Sequence, residues 1–158
     1  MNPFANRSDL PYELPPFDLI RDEHYLPAFY AGCEEQLAEV NAILESGAPT
    51  FENTIVALEK SGQYLMRMLL VFYNKSSSDT NDALDAIEEE IAPKLAAHQD
   101  SINLNPALFK RIKDLYDARE SLGLNSEDAW LLERYFKDLI HAGAHLTDAQ
   151  RARLKELN

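Results

Sequence analysis

Cysteine is almost absent from this chain. Cys33 is the only one in 158 residues, so no internal disulfide framework can exist, which fits a reducing compartment. Basic residues are scarce: Lys+Arg number 15 against 27 Asp+Glu, a formal charge of −12. Such a surface repels phosphate backbones and anionic bilayers, which argues against nucleic acid or a membrane as partner. Long apolar runs are missing. The longest, Met68 to Tyr73, falls far short of a membrane span. The N-terminus, Met1-Asn2-Pro3-Phe4-Ala5-Asn6-Arg7, lacks the basic segment and apolar stretch of a signal peptide. The expected location is the cytoplasm. No segment shows strand alternation, and there is no glycine-rich phosphate loop, basic aromatic patch or Ser/His/Asp order.

What is present is helical period. Hydrophobic content of 46% with 27% charged residues is that of an ordinary soluble domain, long enough to remove roughly 70% of its unfolded surface from water. Residues 1–20, with Pro3, Pro11, Pro15 and Pro16, read as an extended arm whose apolar side chains lie on the body. Residues 21–158 read as one helical domain. The fold expected is an all-α multi-helix bundle of five to six helices.

The first helix is predicted over about 22–46, with the stripe Leu26, Phe29/Tyr30, Cys33, Leu37, Val40, Leu44. A second, over about 51–74 after an N-cap at Thr50, steps Phe51, Ile55, Leu58, Gly62, Leu65, Leu69, Phe72. There Gly62 is expected to admit a neighbouring backbone. A third covers about 80–103 and should kink at Pro93. A fourth starts at the Asn105-Pro106 cap and runs to a Gly123 stop. A fifth runs from Asn125 to Ala142-Gly143. A sixth opens on the Thr147–Gln150 capping box, with Leu154 and Leu157 as its only large apolar residues. A helix that short gains little from its own hydrogen bonds, so it should fray from Asn158 towards Arg151, as if truncated.

Candidate chemistry is thin. Asp138, His141 and His145 have spacing that could be read as metal-binding, but Gly143 separates the histidines and no Glu-x-x-His occurs to complete a two-metal bundle. His98 continues an apolar stripe and reads as a neutral, inward-facing core histidine. His24 reads as a surface residue or a tether for the arm. Cys33, on an apolar stripe beside Glu34 and Glu35, reads as an unreactive thiol. Glu88-Glu89-Glu90 reads as an exposed acidic face. From the residues alone, the catalytic, cofactor-binding and metal positions are none.

The run Pro49-Thr50-Phe51-Glu52-Asn53-Thr54-Ile55-Val56-Ala57-Leu58-Glu59-Lys60-Ser61-Gly62, together with Glu23-His24-Tyr25-Leu26-Pro27-Ala28-Phe29, resembles the N-terminal region of the thimet oligopeptidase family of zinc metallopeptidases. Ile91-Ala92-Pro93-Lys94-Leu95-Ala96-Ala97-His98, Leu131-Leu132-Glu133-Arg134-Tyr135 and Ala142-Gly143-Ala144 continue it in the family's order. The Phe-Glu-Asn-Thr-Ile wording is most similar to the peptidyl-dipeptidase branch. The resemblance implies an almost wholly helical parent enzyme with one zinc, held by a His-Glu-x-x-His helix and a later Glu, that releases dipeptides from a free C-terminus inside a deep channel. None of those ligands is carried here, since Tyr25, Gln99, Ala142 and Leu146 follow the four histidines. The chain would then be the non-catalytic N-terminal domain, helping to wall the channel. Its partners would be the remainder of the peptidase and, in the intact enzyme, short peptides. The other reading is a stand-alone helical interaction module.

Overall fold

Caps and glycines set the helix boundaries. The computed structural model describes residues 2–157, with side chains in the last helix as far as Leu154. It is all-α, and no strand occurs among the described residues. A 3-10 turn at Asp22–His24 leads into α1 (Tyr25–Glu45). A π-helical turn, Glu52–Val56, leads into the short α2 (Ala57–Lys60). Then come α3 (Gln63–Ser78), α4 (Asp82–Asn103), α5 (Pro106–Asp117), α6 (Ser126–Ala142) and α7 (Asp148–Leu157).

The one large departure from expectation is the second helix, which is broken. Ser61 is extended (φ −78°, ψ 156°) and Gly62 is left-handed (φ 70°), a conformation glycine adopts at little steric cost. The apolar stripe did not betray the break because its three-four spacing continues across it. Gly62 does not receive a neighbouring backbone. Its N–H donates to Glu39 Oε2 at 2.7 Å, and a Cβ there would fall 2.3 Å from Gln36 Nε2. The fourth helix also ends early: α5 stops at Asp117, and a 3-10 turn, Arg119–Ser121, covers the rest of the way to Gly123. α4 stays helical across Pro93. Asn105 and Asn125 cap α5 and α6, each accepting from two backbone N–H groups, and left-handed Gly143 ends α6. Thr147 and Gln150 form the capping box of α7 reciprocally, satisfying donors that the first turn leaves open. Of the stretch from Asn158 back to Arg151 that is expected to fray, α7 is helical as far as Leu157, and Asn158 lies outside the described residues.

By its internal contacts the chain forms two units, each assembled from two stretches of sequence: Met1–Glu39 with Gly62–Leu95, and Val40–Ser61 with Ala96–Asn158. The core of the first is built on Phe29, Met68, Phe72, Leu84 and Ile91. Here it is Gly32 of α1 that makes the close approach, since a Cβ on it would sit 2.8 Å from Leu65 Cα of α3. The arm is pinned at its start. Phe4 is buried with its ring centroid 5.5 Å from that of Tyr25, Asn2 Nδ2 donates to the His24 carbonyl at 2.8 Å and Arg67 Nη2 donates to the Phe4 carbonyl at 3.2 Å. Further along, Leu10, Tyr12, Leu14, Phe17 and Leu19 are exposed.

The core of the second unit is built on Ile55, Leu108, Ile112 and Leu132. α5 and α6 meet through stacked rings: Phe136 lies 6.0 Å from Phe109 and 4.1 Å from Tyr116, and the Arg119 guanidinium sits 4.3 Å from the Tyr116 ring centre. No described helix is long and apolar enough to cross a membrane.

Candidate functional site

The Phe51–Ile55 run folds into a polar cluster inside the second unit. Thr50 and Asn53 exchange bonds: the Asn53 N–H donates to Thr50 Oγ1 at 3.0 Å and the Thr50 N–H to Asn53 Oδ1 at 2.8 Å. Asn53 Nδ2 reaches back to the carbonyls of Ser46 (3.3 Å) and Ala48 (3.0 Å). Thr54 is fully buried, and its hydroxyl donates to Asn53 Oδ1 at 3.0 Å. One asparagine thereby closes the loop that leaves α1 and starts the π-helical turn.

Arg111 of α5 locks this loop. Only 7% of it is exposed. Its Nε donates to Thr54 Oγ1 (2.8 Å), Nη1 to the Gly47 carbonyl (2.7 Å), and Nη2 to both Ser46 Oγ (2.7 Å) and Asn53 Oδ1 (2.8 Å). All four acceptors are neutral. The fork of N–H groups therefore compensates for desolvation with dipoles rather than with a carboxylate. Burial pulls the guanidinium's pKa down from its usual value, and an arginine stays charged regardless. Sequence reading passed over Arg111. The available signal was its place among Leu108, Ile112 and Leu115, a cation on an otherwise apolar face. Elsewhere in the same unit, the Tyr135 hydroxyl donates to Glu59 Oε1 at 2.6 Å; burial, and secondly the glutamate, raise the phenol's pKa. Chemically the cluster positions backbone. Its donors face protein acceptors, so it offers no general base or nucleophile.

The residues singled out beforehand are dispersed. Asp138 pairs with Arg134 at 3.0 Å, His141 lies in the last turn of α6, and exposed His145 lies beyond the Gly143 stop. Among the described residues, no group of three or more His, Cys, Asp or Glu side chains is arranged to hold a metal ion. His24 acts as a tether: its Nδ1 accepts from the Arg21 N–H at 3.0 Å, and its carbonyl holds Asn2. Burial alone pushes the Cys33 thiol up to about 11, a shift that needs nothing from the neighbouring glutamates.

The acidic run is a face open to solvent whose carboxylates are also engaged: Glu89 is exposed, Glu88 is half-buried, and the Glu90 side chain is 41% exposed. Glu88 accepts from Ser76 Oγ at 2.8 Å, and Glu90 accepts from the Tyr30 hydroxyl at 2.5 Å with Lys94 at 3.5 Å. The bond from Tyr30, and secondarily Lys94, holds the Glu90 carboxyl below the usual range. Helical period put Glu88 and Glu90 beside the buried face of α4, where α1 and α3 supply hydroxyls.

His98 is buried, and burial lowers its pKa. A base depressed in the folded state binds fewer protons there than in the unfolded chain. Its contribution is therefore intact above the unfolded value of about 6.5 and is lost as pH falls towards and through the folded value. In denaturant titrations, the stability gap between His98→Gln and the parent should shift in the variant's favour below pH 6.5, by at most about 1.4 kcal/mol per pH unit. A gap independent of pH would contradict a buried neutral imidazole.

No family model matches the chain. It is 44% identical over 159 residues to the dipeptidyl carboxypeptidase of Escherichia coli (strain K12), covering 100% of this chain and 23% of that protein. The dipeptidyl carboxypeptidase of Salmonella typhimurium (strain LT2) is 42% identical over 158 residues, 99% of this chain and 23% of that protein. Oligopeptidase A of Escherichia coli is 26% identical over 148 residues, 93% and 22%. The chain thus spans less than a quarter of the length of these relatives and matches their N-terminal part. From end to end it is similar to the N-terminal region of the dipeptidyl carboxypeptidases, and more distantly to that of the oligopeptidases A.

Proposed function

We propose that this chain is the non-catalytic N-terminal helical domain of a zinc peptidase of the dipeptidyl carboxypeptidase kind, a cytoplasmic enzyme that releases C-terminal dipeptides from oligopeptides. Residues 1–20 form its arm and 21–158 its helical body. Together they contribute part of the wall of a substrate channel, while zinc and its ligands belong to the remainder of the enzyme. The observation that carries this reading is 44% identity over the whole chain to a stretch that makes up only 23% of its relative. The sequence supports the division of labour, because no histidine here is followed by Glu, and a catalytic zinc needs three protein ligands at suitable spacing. The Arg111 cluster suits a wall, since it fixes a loop without offering a reactive group.

The test is to express the reading frame continued past codon 158 and compare it with the 158-residue chain. The substrate is a peptide blocked at its N-terminus and free at its C-terminus. The longer polypeptide should release dipeptides in a zinc-dependent way, and the short chain should release none. Dipeptide release by the short chain alone, or its absence from the long one, overturns the reading.

A further inference from the structure

We draw no further inference here: the strongest candidate, the exposed apolar stripe of Met66, Leu70 and Tyr73 along α3, is an unpartnered helix face, and nothing in the structure shows what covers it.

Discussion

Arg111→Ala is expected to destabilise the protein by about 3–5 kcal/mol, measured as a fall in the urea midpoint at unchanged slope. The substitution strands Thr54 Oγ1, the Gly47 carbonyl, Ser46 Oγ and part of Asn53 Oδ1. A buried polar group that loses its partner costs roughly 1–3 kcal/mol. Partial compensation is available to Ser46 Oγ, which also donates to the Ile43 carbonyl at 2.7 Å, and to Asn53, which keeps its bonds to Thr50; this holds the total below the sum. Arg111→Lys should recover only a minor part. An ammonium on a thinner stem cannot reach four acceptors spread over residues 46–54 with the geometry of a planar fork. Thr54→Val in the Arg111→Ala background should cost less than in the parent, because its hydroxyl no longer has a donor to serve. A loss under about 1 kcal/mol for Arg111→Ala would mean that water replaces the guanidinium at little cost.

Gly32→Ala is the second large effect, and there the sign decides. On an open helix the change would stabilise by about 1 kcal/mol, because alanine surrenders less backbone freedom. In α1 the new Cβ would stand 2.8 Å from Leu65 Cα and 2.9 Å from Leu65 N. Those are backbone atoms, which cannot rotate away, so the two helices must move apart around Met68 and Phe29. Overpacking of that kind costs about 1–3 kcal/mol and occasionally more. The expected net result is a loss of about 1 kcal/mol, the cost of overpacking less the helix-propensity gain, and a rise in melting temperature would show that the helix crossing is looser than described. Gly62→Ala should also destabilise, through its positive φ and the Gln36 side chain, whereas Gly47, with open space around it, answers only to its backbone angle.

These two positions show where the sequence could and could not be read. Asn105-Pro106, Asn125, Gly143 and the Thr147–Gln150 box announced their helix ends because capping is local chemistry, written within four residues. The core stripes of α1, α3 and α4 were legible for the same reason. The Ser61-Gly62 break was not, since a left-handed glycine leaves the three-four spacing of Ile55, Leu58, Leu65 and Leu69 intact. Gly32 gave no sign because a close approach belongs to two helices at once, and neither sequence alone records it. The Phe51–Ile55 run was legible as a signature but not as a mechanism. Its meaning depends on Arg111, whose partners lie 57 to 65 residues earlier in the chain. The hydrogen bonds of Glu88 and Glu90 were not legible in their own helix, since the hydroxyls of Ser76 and Tyr30 come from other helices.

The interleaving of the two units has a consequence for how the chain is made. A ribosome delivers residues in order, and every residue of the first unit has been joined once Leu95 is added. The stretch Val40–Ser61 has by then been waiting for partners that begin at Ala96. Its most polar loop waits too: at about 5–20 residues per second, Arg111 follows Asn53 by roughly 3–12 s. Through that interval Ser46, Asn53 and Thr54 have only water and their neighbours in sequence, such as the Ile43 carbonyl and Thr50, as partners. The nascent chain therefore carries one finished half and one half open to solvent, and this open half is the natural point for a chaperone to engage it.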